Sequence, residues 1–371
     1  MKVWILAGHF RKGGLERVLT KIIEILRQNR IDSEVVSRSY EAHPSTPTEK
    51  YVDFQKLPSK TLLGFILDVI RGLHNQRPTH VITSANDIAC LLIVLKILHF
   101  RTTNIIVTQH LTISPPLEQS RGIKRLKLVM IKWAMRHLYP RADGLVAVSR
   151  GVADDMAKSL GLNPATITTI YNPIVDEQTT RLLKAPLPTN FPSPTSDESL
   201  ITFAGRLEPG KRVDLLLKAF ANVRQQHRAR LLILGTGSLR ETLEEQARQL
   251  SLGEDAVFLG HLDNILPVLK CSTVLVLASD FEGFGNVLVE AMACGTQVIA
   301  SDCPSGPAEI LDQGRYGQLI APNSSRSLED ALRKTLSGEF HVPAALLRER
   351  AEYFSVERAR DAYLQLLNGL Q

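Results

Sequence analysis

Two carboxylates, Glu282 and Glu290, stand eight positions apart in DFEGFGNVLVEAMACG (residues 280–295). A Gly-Phe-Gly turn follows the first, and a helix-like apolar run carries the second. The β-like run TVLVLAS ends just before them, so Glu282 falls in the loop at a strand's C-terminal end. Glu290 then falls roughly one and a half turns into the next helix. Gly283 and Gly285 let the backbone approach a ligand closely, and the free N–H groups opening that helix carry partial positive charge. Such a turn suits a phosphate or a hydroxyl-rich group, with Glu290 in reach of a diol.

FAGRLEPGKRVD (residues 203–214) repeats the arrangement. A strand ends at Ala204, a Gly/Pro loop follows and a helix begins near Val213, so Arg206 and Lys211 project from a loop at the same sheet edge. Two fixed cations there would hold a diphosphate and stabilise its growing charge as it leaves, in place of a metal. Taken singly, each motif also describes solvated loop charges or a glutamate near a helix start.

The elements that must position these groups alternate. In the first half, β-like runs at Lys2 to Ala7, SEVVS, HVITS, NIIVTQH and GLVAVS are separated by helical patterns, of which Leu15, Val18, Leu19, Ile22, Ile23 and Leu26 form the first. From 176 to 199 the periodicity fails, and Pro186, Pro188, Pro192 and Pro194 mark a linker. Alternation then resumes with LITFAG, a helix from Val213 to His227, RLLILG, a helix from Leu239 to Leu250, AVFLG, TVLVLAS and QVIAS. Strand–helix alternation implies parallel sheets covered on both faces. The expected fold is α/β, with two doubly wound Rossmann-like domains, 1–175 and 200–355, facing each other across a cleft. Such folds bind ligands at the C-terminal ends of their strands. An amphipathic helix, 356–371, is expected to pack back on the first domain.

Hydrophobic content of 44% and charged content of 22% are ordinary for a globular chain of 371 residues. Cys90, Cys271, Cys294 and Cys303 are scattered, which gives no support to a metal or disulfide framework and points to a reducing cytoplasm. The longest apolar run, Ile88 to Phe100, is short of the ~20 residues of a spanning helix and reads as a buried core helix. A dehydrogenase reading fails at LILGTGSLRE, because the third glycine position of the dinucleotide fingerprint is Arg240. A two-carboxylate glycosidase is poorly served by Glu290 within a helix. The basic half lacks the zinc spacing, helix-turn-helix pattern or clustered aromatics of a nucleic-acid binder, so no nucleic-acid partner is expected.

Together, FAGRLEPGKRVDLLLKAF, LLILGTGSLRETLEE, VFLGHLDNI and SDFEGFGNVLVEAMACGTQVIASDCPSGPAEIL resemble the retaining, nucleotide-sugar-dependent glycosyltransferases of family 4, which have the GT-B fold. GGLERVL, VAVSRGVADDM and TTIYNPI extend the resemblance through the first half. It implies that Arg206 and Lys211 bind the donor diphosphate and that Glu282 and the amides of Gly283, Phe284 and Gly285 contact the donor sugar. Asn286 and Val287 would offer amides near the phosphates, Glu290 would hold the ribose hydroxyls and the backbone near Leu262 would meet the base. Gly13 and Gly14 would bring the first glycine turn to the donor. His110 matches the family's active-site histidine, although an ordinary strand-end histidine reads the same way. Retention by front-side displacement is implied, with no metal and no cofactor beyond the UDP-sugar donor. A sugar-nucleotide epimerase of the same shape is the alternative, as is a transferase with a soluble acceptor.

SDCPSGPAEIL resembles members using UDP-hexoses or UDP-N-acetylhexosamines, with lipid-linked or surface-polysaccharide acceptors. Residues 1–175 hold 24 Lys and Arg against 13 Asp and Glu, whereas 176–371 hold 20 against 25. That asymmetry fits an anionic partner. In RGIKRLKLVMIKWAMRHLYPR, Arg121, Arg125, Lys132 and Arg136 fall near one helical face, with Ile123, Leu126, Met130, Trp133 and Ala134 on an opposing arc. Two readings stand: docking on anionic lipid, or a core helix with a solvated cationic side. The first puts the protein in the cytoplasm, peripheral on the inner face of the cell membrane, where it reaches a glycan on a polyprenyl diphosphate or a lipopolysaccharide.

Overall fold

Continuous Val/Ile/Leu runs, buried on both faces, build two parallel sheets. The computed structural model describes residues 1–8, 10, 13–39, 53–59, 61–192, 195 and 197–370. Within the expected glycine turn, His9, Arg11 and Lys12 lie outside the described residues, as does Pro194 of the proline-rich stretch. The chain divides into two compact units: Met1–Pro173 with Val356–Gln371, and Ile174–Ser355.

The first unit contains strands β1 (Lys2–Ala7), β2 (Asp32–Ser37), β3 (Asp53–Lys56), β4 (His80–Thr83), β5 (Asn104–Gln109), β6 (Gly144–Ala147) and β7 (Ile167–Thr169). Their order across the sheet is β3-β2-β1-β4-β5-β6-β7, all parallel. Its helices are α1 (Gly14–Gln28), α2 (Leu62–Gln76), α3 (Asn86–Leu98), α4 (Ser114–Gln119), α5 (Gly122–Leu138) and α6 (Arg150–Leu160). The apolar stripe of α1 packs on β1 in a core that Ala359, Tyr363 and Leu367 complete from the chain's far end.

The second unit opens with α7 (Glu177–Leu182) and contains β8 (Ser199–Ala204), β9 (Ala229–Leu234), β10 (Ala256–Gly260), β11 (Val274–Leu277), β12 (Gln297–Ser301) and β13 (Gln318–Ile320). The parallel order is β10-β9-β8-β11-β12-β13. Between and after the strands lie α8 (Val213–Val223), α9 (Arg240–Gln249), α10 (Leu266–Cys271), α11 (Asn286–Cys294), α12 (Pro307–Ile310), α13 (Ser325–Leu336) and α14 (Ala344–Glu352). The last helix, α15 (Val356–Asn368), belongs to the first unit.

Strand order reverses direction between β1 and β4 in one sheet and between β8 and β11 in the other. At such a switch point the crossover connections leave for opposite faces of the sheet, which makes its C-terminal edge the place where α/β folds bind ligands.

Four readings of the sequence need correction. The stretch taken as a linker carries α7, because the Asp176 carboxylate accepts from the Thr179 N–H at 2.9 Å while the Asp176 N–H donates to the Thr179 hydroxyl at 3.1 Å. Asn264 Nδ2 then donates to Leu182 O at 2.8 Å, tying the segment to the second unit. Helix α8 ends at Val223 rather than His227, since no apolar residue follows and Arg224 turns away to bond the carbonyls of Ser251 and Leu252. Helix α3 is buried only over its first half; Leu98 at its end is 72% exposed. Helix α5 is no core helix: only Met135 is buried, and Ile123, Leu126, Met130 and Trp133 of its apolar arc face solvent. Arg121, Arg125 and Arg136 are exposed as well, whereas Lys132 is half-buried. The narrow stripe that packs inward, Leu128, Ile131 and Met135, runs along the edge of the cationic side.

Candidate active site

Because β8 and β11 are neighbours, the loops that follow them meet. Asp280 N–H donates to Gly210 O at 2.9 Å, and Arg212 bridges Asp214 at 3.1 Å and Asp280 at 3.2 Å. This clamp holds Arg212 at φ +51°, a left-handed conformation a non-glycine residue adopts only under constraint. Burial pushes the Asp280 carboxyl up while Arg212 opposes it.

Held this way, Lys211 reaches across the crevice to Glu282, with Nζ 2.5 Å from Oε1. The Glu282 carboxylate is buried, and the same oxygen accepts from the Ser279 hydroxyl at 2.7 Å. Ser305 secures the backbone around it, donating to Glu282 O at 2.6 Å. Nearby, burial and then the Glu282 charge push the Cys303 thiol up to about 12, so that cysteine is inert.

The glycine turn then opens α11. Gly285, at φ +105°, is the helix's N-cap and has no side chain to cap it. The N-terminal positions of α11 are half-buried at Asn286 and Val287, and Glu290 is the fifth helical residue, also half-buried. The Phe284 ring is core: it packs edge-on against Phe354, with centroids 5.3 Å apart. Only its backbone is available to a ligand. Arg206 is exposed in the loop after β8, and Leu262 is half-buried in the loop after β10. The loops after β8 and β9 touch backbone to backbone; a Cβ on Gly235 would meet Gly205 O at 1.9 Å.

Thus Arg206, Lys211, Leu262, Glu282, Gly283, Phe284, Gly285, Asn286, Val287 and Glu290 all follow strands of the second sheet at one edge. Gly13, Gly14 and His110 stand at the equivalent edge of the first sheet, after β1 and β5. Sequence reasoning missed Ser279, Arg212 and the role of Ser305. Isolated hydroxyls carry no pattern, and Arg212 is announced only by strand order.

Around His110, a pocket of about 220 Å³ opens among the loops after β4 and β5, α4 and α5. Burial lowers the ring's pKa to about 4, and its Nε2 has no hydrogen-bond partner among the described residues. The histidine is therefore neutral near pH 7, with one nitrogen able to accept. Its folded value lies below the ordinary 6.5, so its stabilising contribution is complete above about pH 6.5 and is lost as pH falls toward 4. Urea unfolding should show the wild type losing on the order of 3 kcal/mol more than His110→Asn between those limits. Parallel pH profiles for the two proteins would refute the buried neutral imidazole.

Residues 12–178 match the family model described as Glycosyltransferase Family 4, and residues 189–355 match Glycosyl transferases group 1. The chain is 29% identical over 239 residues to the N-acetylgalactosamine-N,N'-diacetylbacillosaminyl-diphospho-undecaprenol 4-alpha-N-acetylgalactosaminyltransferase of Campylobacter jejuni, a match covering 64% of this chain and 63% of that enzyme. It is 29% identical over 208 residues to the lipopolysaccharide 1,6-galactosyltransferase of Escherichia coli, covering 54% of each. The chain thus spans less than two thirds of either relative. Among solved structures, the apo form of the lipopolysaccharide outer core galactosyltransferase WaaB superposes with a TM-score of 0.75 at 21% identity, over 100% of both chains. Anabaena HepE in complex with UDP and glucose gives 0.79 at 17% identity, again over 100% of both. Matched by family models through both of its sheets, and sharing its fold with these enzymes, the chain belongs to the family 4 glycosyltransferases of the GT-B fold.

Proposed function

We propose that the chain transfers a hexose or N-acetylhexosamine from a UDP-sugar to a lipid-linked, surface-polysaccharide or lipopolysaccharide acceptor, retaining the anomeric configuration without a metal. The observation that carries this reading is the Lys211–Glu282 pair, set beside the uncapped start of α11 at the switch point of the second sheet. Lys211 and Arg206 supply the positive charge a diphosphate needs, and α11 supplies dipole and amides. Glu290 holds the ribose hydroxyls. As the bond from the anomeric carbon to the β-phosphate oxygen breaks, the electron pair leaves with UDP, and that oxygen takes the proton of the incoming hydroxyl on the same face. Glu282 supports the electron-poor sugar electrostatically and forms no bond to it. The solved complex of Anabaena HepE with UDP and glucose supports the choice of donor class. The names of the Campylobacter and Escherichia coli relatives support the acceptor class.

A panel of UDP-sugars incubated with the chain in EDTA tests this directly. Slow release of UDP and free sugar from one of them is expected. Loss of that activity in EDTA would contradict the metal-independent mechanism, and a UDP-sugar isomer as sole product would mark an epimerase.

The acceptor reading includes a bilayer. Among the described residues no helix is long and apolar enough to cross a membrane. On α5, however, Ile123 and Trp133 are 89% and 66% exposed, flanked by exposed Arg121, Lys124, Arg125, Lys127 and Arg136. This combination supports docking on an anionic surface, each cation contributing about 1 kcal/mol. Cosedimentation at physiological salt should show binding to anionic liposomes that Leu126→Glu with Trp133→Glu abolishes. Equal partition onto neutral liposomes would contradict docking.

A further inference from the structure

We propose that Ser279 is a positioning residue of the transfer reaction, its hydroxyl fixing which oxygen of Glu282 is offered to the donor sugar. The inference rests on the glycosyltransferase function above. It concerns a side chain that acts only through its neighbour, since Ser279 is 0% exposed and out of a ligand's reach.

The span from Ser279 to Glu282 is pinned at both ends through its backbone. Ser301 Oγ, at the end of β12, donates to Ser279 O at 2.5 Å. Ser305 Oγ donates to Glu282 O at 2.6 Å and shares its proton with Gly283 O at 3.3 Å. Both hydroxyls come from SDCPSGPAEIL, so that stretch serves the site by holding its peptide groups. With the backbone held, the freedom left to Glu282 is rotation about its side-chain bonds, and the terminal one is soft.

Two donors remove that freedom, and both meet the same oxygen. Ser279 Oγ lies 2.7 Å from Glu282 Oε1, and Lys211 Nζ lies 2.5 Å from the same atom. Oε2 has no donor among the described residues, yet it is not one of the unpartnered side-chain atoms sealed from solvent. The 10% exposure that the side chain keeps therefore includes Oε2, which is the acceptor left for a hydroxyl from outside. The two donors are not equivalent. Lys211 carries three N–H groups on a flexible stem and turns some of them to an arriving diphosphate. The Ser279 hydroxyl has one proton, stands on a pinned backbone and has no ligand to serve. It keeps Oε1 turned inward while the diphosphate draws on Lys211. Without it, the carboxylate would rotate about its terminal bond and no longer hold Oε2 toward the sugar.

A purely structural hydroxyl would also satisfy a buried carboxylate. UDP release from the panel of UDP-sugars in EDTA, UDP affinity and melting temperature, all on the full chain, separate the two roles. Ser279→Ala should lower turnover about 10-fold, the loss of one hydrogen bond to a charged group, while UDP, which carries no sugar, binds within about twofold of wild type. Ser279→Cys, which keeps the size but offers only a weak donor, should behave as the alanine does. In a Glu282→Ala background the hydroxyl has no carboxylate to hold, so adding Ser279→Ala should change turnover by less than about twofold. Thr202→Val is the structural control: it removes another fully buried hydroxyl of the second unit, 2.7 Å from Ser272 Oγ, and should lower the melting temperature with turnover near normal. Near-normal turnover in Ser279→Ala, an equal loss of UDP affinity, an undiminished effect in the Glu282→Ala background, or the same loss of turnover in Thr202→Val would overturn the proposal. Active wild type with an indifferent Ser279 refutes this inference alone, whereas wild type that turns over no UDP-sugar refutes the function on which it rests.

Discussion

Lys211→Ala lowers sugar-transfer turnover by at least about 10²-fold, the scale of losing one preorganised charged contact to a developing anion. Two effects add. The substitution removes a cation from the place assigned to the departing diphosphate, and it strips a buried carboxylate of its 2.5 Å partner. Ser279 still donates to Glu282, so the stability cost is moderate, about 2 kcal/mol. Glu282→Gln should lose as much turnover with a smaller stability change, because an amide still hydrogen-bonds but carries no charge. Initial rates and thermal melts on the same preparations separate catalysis from folding. Near-normal rates in both variants would remove the site assignment.

Gly306→Ala should be nearly as severe although it touches no charge. Gly306 sits at φ +90° and ψ −76°, where an L side chain is strained, and an added Cβ would stand 2.0 Å from Phe284 O. Relief requires moving the very peptide that links Gly283 to Gly285 and launches α11. A destabilisation of at least about 3 kcal/mol is expected, together with loss of transfer. Gly338, at φ +79° with open space around its position, serves as the control; alanine there should cost only about 1 kcal/mol. Equal melting shifts for the two variants would show that the Gly306 contact does not hold the turn.

The second site was readable in the sequence because each of its motifs directly follows a strand-like run, and parallel sheets gather such loops at one edge. Its internal wiring was not readable. Lys211 and Glu282 meet across 71 positions only because β8 lies beside β11, and strand order has no local signature. The helix pattern on α5 is legible in the sequence, but which of its sides packs is not. Periodicity shows that two faces differ, whereas burial depends on what the neighbouring α3, α4 and α6 leave open. The end of α8 and the helix α7 are hidden in the sequence for a related reason. One lacks a glycine or proline stop, and the other is a short capped turn in a proline-rich background, where composition masked the Asp176–Thr179 box.

Calorimetric titration of UDP, in EDTA, into wild type, Lys211→Ala and Glu290→Ala tests the central claim most directly. The wild type should bind, and each variant should bind about 10-fold or more weakly, the loss of one charged contact to diphosphate or ribose. Wild-type protein that binds no UDP, or variants that bind it as tightly as wild type, would contradict the account.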